Sequence, residues 1–354
     1  MKIAYVHPDA EGREEDAAKG LYPRNQLWGA DWLRACGHDV QTVPTKDSGG
    51  LAARLGHFLN KLTRNRLGDF HIELQALSKL RWADVLYAPS GHLFLLPLLR
   101  RLGFLKAKLV TWFFRLPDSA RWWRPRNLRF SSYVLNGFDG ILCLTRQAAD
   151  AFKERTDGVH VQYLPWFADP DIFQPKPEET GQGYFLCVGK TRRDYPTLLK
   201  ACAQVSDAQF RIIAPGEAAQ GTTIPDNVQF IETSDDPPDT AISYPELRDW
   251  YAGARAILIP LTGDSRDTSG YTTLLEAITM GKPVVMTRSG CLDIDVEDLG
   301  IGRYVPPADS AAWVHALGSL GETSKMCQRA RQLAEQTFSA EQFGKSLDTF
   351  LQQA

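Results

Sequence analysis

Apolar residues along the chain fall into short continuous runs that alternate with segments of helical period. The runs include KIAYVH, HDVQTV, WADVLYAP and AKLVTWFF, and later FLCVGK, FRIIAP, VQFIET, ARAILIPL and KPVVMT. Such runs are typical of strands buried in parallel sheets. The segments NQLWGADWLRACG and SYPELRDWYAGA predict amphipathic helices, and a polar loop is predicted from the first strand to about Arg24. This alternation predicts an α/β fold built from βαβ units.

The periodicity is interrupted between Pro165 and Pro175, where three prolines and two aspartates lie close together. The chain has 354 residues, about twice the size of a typical domain, and 44% apolar residues, which is enough for two hydrophobic cores. We therefore predict two doubly wound domains, 1–168 and 169–338, and a final helix at 339–354.

The stretch 243–309 is the richest in chemistry, because a capped helix, a buried strand, a glycine turn, a second helix and another strand follow in βα order. Ser243 and Glu246 have the spacing of a capping box. The turn at 269–271 directs the free N–H groups of the next helix towards the edge of the sheet, which suits phosphate or sugar oxygens. Glu276 follows within two helical turns. The pattern indicates a site for a nucleotide sugar.

Three further motifs lie in order along the chain: FDGILCLTRQAADAFKER with VHVQYLPWFADPDIFQP, then GYFLCVGKTRRDYPTLLKA, then MGKPVVMTRSGCLDIDVEDLGIGRYVPPAD. The first ends in a pattern of Pro165, Asp169 and Phe173. Together the motifs resemble those of the family 4 glycosyltransferases, over nearly the whole chain. The resemblance implies a GT-B fold, in which two Rossmann-like domains face a cleft. It also implies an acceptor site in the first domain, a nucleoside-diphosphate-sugar site in the second, retention of anomeric configuration, and a final helix that returns to the first domain.

The resemblance implies roles for residues of the second domain. Lys190 and Arg193, after a strand end, are expected to neutralise the leaving diphosphate, and register favours Arg193 over Arg192. Glu276 is expected to accept hydrogen bonds from the ribose hydroxyls. The segment 230–234 is expected near the base, but its residues do not indicate whether the nucleoside is uridine, guanosine or adenosine. The other expected donor-site residues are Gly189, Thr268, Ser269, Gly270, Tyr271 and Thr272.

The sequence departs from the family pattern at the position that the resemblance places near the donor sugar. The family has two glutamates separated by seven residues, and Thr268 stands in place of the first while Glu276 keeps the second. Asp267 is the nearest carboxylate, and we weigh a catalytic role for it against a role as a turn residue that caps the following helix.

A second departure concerns the first domain. Phe113, Phe114 and Arg115 stand at a strand end where many relatives carry a histidine. His92, in YAPSGHLF, is a candidate catalytic or acceptor-side residue, although a lone histidine is more often a hydrogen-bonded structural group. The candidate acceptor residues are Gly20, Tyr22, His92 and Arg115.

The net charge of the chain is only −2, but basic residues are concentrated in one stretch. The stretch 100–129 holds nine basic residues and one acidic residue, interleaved with Phe104 and three tryptophans. It is open to two interpretations: contact with anionic headgroups or an acidic, diphosphate-linked acceptor, or a solvated surface. No apolar run approaches the twenty residues of a membrane span, and the N-terminus has no signal-like apolar region. We expect a cytoplasmic protein, with peripheral contact at the inner face of the membrane as an option.

Six widely spaced cysteines, without a CxxC pair, are expected to be core thiols. No metal, cofactor or nucleic-acid partner is expected; the expected partners are a nucleotide sugar and a glycan, lipid-linked or small-molecule acceptor. Two alternatives stay open. One is a GT-B nucleotide-sugar epimerase, and the other is a non-catalytic GT-B scaffold or regulatory subunit.

Overall fold

The computed structural model describes residues 1–7, 12–44, 50–64, 67–89, 93–117, 128–175, 183–233, 242–263, 268–288 and 292–354. The chain divides into two compact units. Unit 1 consists of residues 1–166 and 341–354, and unit 2 of residues 167–340.

Unit 1 contains a parallel six-stranded sheet in the order β2-β1-β3-β4-β5-β6. Its strands are β1 (Lys2–Tyr5), β2 (Asp39–Thr42), β3 (Val85–Ala88), β4 (Lys108–Phe113), β5 (Gly140–Cys143) and β6 (His160–Tyr163). Its first seven helices are α1 (Arg13–Ala18), α2 (Ala30–Ala35), α3 (Leu51–Thr63), α4 (Phe70–Ala76), α5 (Leu95–Arg101), α6 (Leu128–Leu135) and α7 (Arg146–Lys153). Because β3, β4 and β5 are buried along almost their whole length, they form the centre of the predicted α/β layer.

Unit 2 repeats this plan with a parallel sheet in the order β12-β11-β10-β7-β8-β9. Its strands are β7 (Tyr184–Val188), β8 (Phe210–Ala214), β9 (Val228–Glu232), β10 (Ala254–Ile259), β11 (Val284–Thr287) and β12 (Gly302–Val305). Its helices are α8 (Tyr195–Cys202), α9 (Tyr244–Ala252), α10 (Tyr271–Thr279), α11 (Ser310–Gly318) and α12 (Ser324–Gln336). The strand order reverses between β7 and β10, and such a switch point is where open α/β sheets bind ligands.

The last helix, α13 (Ala340–Gln353), packs its apolar face within unit 1. The ring of Phe343 lies 5.9 Å from that of Trp112 on β4, and the ring of Phe350 lies 4.5 Å from that of His160 on β6. A Cβ on Gly29 would come within 2.4 Å of the side chain of Leu347. The helix therefore completes the cover of one face of the sheet.

Two predictions about the first connection are wrong. The segment predicted as a polar loop contains α1, and the segment predicted as one helix is a 3₁₀ turn, Arg24–Leu27, followed by α2. The break falls at Trp28 and Gly29, which both have positive φ, at 52° and 82°. The Trp28 ring stacks on that of Trp166 at 4.4 Å, so tertiary packing of aromatic rings holds the chain in this conformation.

The cysteine prediction is correct for Cys143, Cys187 and Cys202, which are buried free thiols. It is wrong for Cys36, which is exposed just after α2. Cys327 is half-buried in α12, and Cys291 lies outside the described residues.

Candidate functional site

The loop that follows β7 folds back onto the end of β10. The backbone N–H of Asp194 donates to the carbonyl of Pro260 at 3.0 Å, and that of Thr262 donates to the carbonyl of Arg192 at 3.2 Å. Asp194 also caps α8, since its carboxylate accepts from the N–H of Thr197. These bonds fix the basic loop at the carboxyl ends of the two strands that flank the switch point.

Arg193 is held in this loop by three hydrogen bonds. Its guanidinium donates to the carbonyls of Val188 at 3.3 Å and Thr191 at 3.0 Å, and to the Thr273 hydroxyl on α10 at 3.0 Å. Gly189, at φ 141°, makes room for it, because a Cβ there would lie 2.5–2.7 Å from the guanidinium atoms. A fixed positive charge therefore joins the end of β7 to the first turn of α10.

The first turn of α10 is the second component of the site. Gly270, at φ 86°, provides the cap position and contributes no side-chain hydrogen bond. The N–H of Tyr271 donates to the carbonyl of Thr268 at 3.1 Å. The N–H groups of Thr272 and Thr273 find no acceptor among the described residues. Together with the helix dipole, these donors make the end of α10 suitable for an anion.

Glu276 lies two turns along the same helix and is only 7% exposed. One carboxylate oxygen, Oε2, accepts a 2.7 Å hydrogen bond from the hydroxyl of Tyr251, a fully buried residue of α9. Burial raises the pKa of Glu276 to about 7, and the Tyr251 hydrogen bond and the Arg193 charge limit the rise. The other oxygen, Oε1, accepts no hydrogen bond from the described residues.

The predicted donor residues lie on two segments, the loop after β7 and the turn that leads into α10 together with that helix. Gly189, Arg193 and the α10 turn are joined by direct contacts, with Glu276 farther along that helix. Lys190 and Arg192 are exposed on the same loop, and Ser269 and Thr272 are half-buried at the turn. Asp267 lies outside the described residues. In the segment expected near the base, Phe230 packs against the core of unit 2, while Ser234 is not among the described residues.

The predicted acceptor residues belong to unit 1. Gly20 is exposed at φ 70°, and the half-buried ring of Tyr22 lies 4.5 Å from the Arg13 guanidinium carbon. Arg115 is exposed just after β4. His92 lies outside the described residues.

Sequence reasoning placed Thr273 in the helix N-terminus at 271–273 but did not identify its contact with Arg193, and it did not identify Tyr251. Tyr251 and Thr273 each act by holding a predicted residue, Glu276 and Arg193 respectively. The only sequence signal for Tyr251 is its apolar position on the inner face of α9, and this does not indicate its hydrogen-bond partner.

In the basic stretch, Arg100 forms a paired contact with Asp139, with N–O distances of 2.9 and 2.7 Å. Arg101 lies over the Tyr133 ring at 5.4 Å. Residues 118–127 are outside the described ranges. No helix in the described ranges is long and apolar enough to cross a membrane. Those ranges also contain no group of three His, Cys, Asp or Glu residues that would hold a metal ion.

Residues 182–322 match the family model described as glycosyl transferases group 1. The match contains the basic loop, α10 and Glu276. The matched residues make up most of unit 2. No curated protein shows significant similarity to the chain.

Solved structures extend the likeness from residues 182–322 to the whole chain. A sucrose-phosphate synthase from Thermosynechococcus elongatus shares 14% identity at a TM-score of 0.69, covering 100% of this chain and 98% of the other. The trehalose 6-phosphate synthase of Burkholderia multivorans gives the same four values. Anabaena HepE, solved with UDP-glucose, shares 14% identity at a TM-score of 0.65, with both chains fully covered. The predicted GT-B fold and the resemblance to glycosyltransferases are confirmed.

Proposed function

We propose that the protein transfers a sugar from a nucleoside-diphosphate sugar to a hydroxyl group of an acceptor, with retention of anomeric configuration. The observation that carries the proposal is the guanidinium of Arg193, fixed between the end of β7 and the first turn of α10. A fixed cation beside free helix N–H groups is the arrangement that a leaving diphosphate requires, because charge develops on it as the glycosidic bond breaks.

Arg193 and the α10 turn stabilise the diphosphate in this proposal, and Lys190 adds a second, exposed cation. No metal is required for that task, since fixed cations and helix N–H groups supply the positive potential. The acceptor hydroxyl attacks from the face that the diphosphate leaves.

Glu276 receives the ribose. Tyr251 holds Oε2, and this leaves Oε1 to accept a hydrogen bond from a ribose hydroxyl. Burial removes the water that would solvate this carboxylate, and few donors of the protein take the place of that water. A ribose hydroxyl that donates to the carboxylate therefore supplies a hydrogen bond that the folded protein alone does not. The crystal structures of HepE with UDP and with UDP-glucose make UDP-sugars the first donors to test.

The test is a thermal-shift panel of UDP-, GDP-, ADP- and dTDP-sugars, followed by an assay of nucleoside diphosphate release. A donor at about a hundred times its dissociation constant stabilises the protein by about 2.7 kcal/mol. Arg193→Gln should weaken donor binding by about ten- to a hundredfold, since hydrogen bonds to charged groups contribute about 1.5–3 kcal/mol. If nucleotide sugars of one base selectively stabilise the wild type, Glu276→Ala should abolish that stabilisation.

Arg303→Gln is the matched control, because it removes an exposed arginine from β12 of the same unit. It should leave donor binding unchanged.

A wild-type protein that no nucleotide sugar stabilises would refute the donor site. Binding without release or transfer, over a range of acceptors, would instead favour the scaffold alternative. Release of an epimerised donor without transfer would favour the epimerase. Product anomers resolved by NMR test retention.

A further inference from the structure

Helix α3 of unit 1 exposes its large apolar side chains. Leu51, Leu55, Phe58 and Leu62 are 85%, 48%, 61% and 69% exposed. At about 100° per residue they fall within roughly 60° of one another on the helix surface and extend along about 16 Å of it. We call these four residues the α3 stripe. It is a continuous row, unlike the single exposed apolar residues that are ordinary on protein surfaces.

The opposite face of α3 packs against the protein through small residues. Ala53 and Gly56 are buried, and a Cβ on Gly56 would come within 2.4 Å of the His71 Cα on α4. Asn60 donates to the carboxylate of Asp69, which caps α4. The close approach of the two backbones fixes the orientation of α3. The helix therefore cannot bury the α3 stripe by turning about its axis without losing this contact.

The charged residues of α3 and its C-cap have one sign. Arg54 and Lys61 are exposed and lie along one edge of the stripe, and Arg64 is exposed at the end of the helix. The sequence from 50 to 64 contains no Asp or Glu. An apolar row bordered by cations complements a surface with an apolar interior and anionic headgroups. Pairing of two α3 helices across a twofold axis would instead bring two sets of cations together.

We propose that the α3 stripe docks unit 1 onto an anionic lipid bilayer, with Leu51, Leu55, Phe58 and Leu62 inserted at the headgroup boundary and Arg54 and Lys61 against lipid phosphates. The α3 stripe shares no residue with the 100–129 stretch considered from the sequence. The proposal does not depend on the donor site of unit 2. An enzyme held in this way has access to acceptors that reside in a membrane.

The experiment measures binding of the full chain to vesicles of phosphatidylglycerol and phosphatidylcholine in equal parts, and to vesicles of phosphatidylcholine alone. The wild type should bind the anionic vesicles at least tenfold more tightly. Leu55→Ser combined with Phe58→Ser should reduce binding about tenfold or more, because each side chain contributes by burial of apolar area. Arg54→Glu combined with Lys61→Glu should remove the preference for anionic lipid, and this preference should also weaken in ~1 M salt.

Two control variants distinguish the surfaces. Leu299→Ser removes an exposed leucine of unit 2 and should bind vesicles as the wild type does. Phe104→Ser removes the 74% exposed ring of the 100–129 stretch. Loss of binding in Phe104→Ser with none in the α3 variants would overturn the proposal. So would a wild-type protein that ignores vesicles, or one that forms dimers in solution that Leu55→Ser with Phe58→Ser dissociates. Unchanged thermal unfolding and donor binding in the α3 variants show that they are folded.

Discussion

Glu276→Gln should make the protein more stable above neutral pH while it weakens donor binding. The carboxylate is buried, and burial raises its pKa from 4.5 to about 7. Glutamine has almost the same shape, and its carbonyl oxygen can still accept the hydrogen bond from Tyr251. The substitution therefore removes the cost of a buried negative charge and leaves the packing of α10 nearly unchanged.

The sign and size follow from proton linkage. Between about pH 4.5 and pH 7 folded Glu276 retains a proton that the unfolded chain has lost, so the wild-type free energy of unfolding decreases as pH rises through this window. At ~1.36 kcal/mol per pH unit, the full effect is about 3 kcal/mol. The stability difference between Glu276→Gln and the wild type should be near zero at about pH 4 and approach that value at about pH 8.

Urea unfolding of both proteins across this pH range gives the difference directly, with fluorescence as the probe. Tyr251→Phe is the companion variant. It removes a hydrogen bond that lowers the pKa of Glu276, so the decrease in stability should extend to higher pH. A stability difference that is the same at every pH, or a glutamine variant less stable than the wild type at about pH 8, would refute the argument from buried charge.

Three further outcomes are expected. Gly189→Ala should displace the Arg193 guanidinium and weaken donor binding about as much as Arg193→Gln does, as measured in the thermal-shift panel. Donor binding equal to that of the wild type would show that the loop adapts. The pH dependence of stability that remains in Glu276→Gln should come from Glu73, because burial raises the pKa of Glu73 to about 8. In urea titrations the free energy of unfolding of this variant should still fall up to about pH 8 and then level off. Gly344→Ala should cost about 1–3 kcal/mol of unfolding free energy, because its Cβ would lie 2.1–2.4 Å from atoms of the Trp32 indole; restoration by Trp32→Leu would confirm the clash.

The central strands were predictable from the sequence because they are short buried runs with clear boundaries. Runs such as VLYA and VVMT are buried along their whole length, and this is typical of the centre of a parallel sheet. The short helix α1 was not predictable in this way. Its sequence, REEDAA, contains no buried residue, so it has no apolar period to detect. The break at Trp28 depends on stacking with Trp166, which is remote in sequence.

The site was predictable to the level of its segments. The basic loop and the glycine turn are local features, and their spacing shows which strand ends carry them. The contacts that hold Arg193 and Glu276 are not local, because Thr273 and Tyr251 lie 80 and 25 residues away from them. Spacing predicted that the basic loop and the turn before α10 lie close together, and the contact between Arg193 and Thr273 joins them. Spacing did not indicate that Glu276 is buried, and this burial determines its pKa.

The position of α13 has a consequence for protein synthesis. Phe343, Leu347 and Phe350 complete one face of the sheet in unit 1, yet the ribosome makes them after all of unit 2. While residues 167–340 are being synthesised, the side of unit 1 that includes Trp112 lacks the part of its cover that α13 provides. Unit 2 can fold as soon as it emerges, whereas the first-made unit is completed last. The nascent chain is thus most exposed to chaperones at the surface that α13 later occupies.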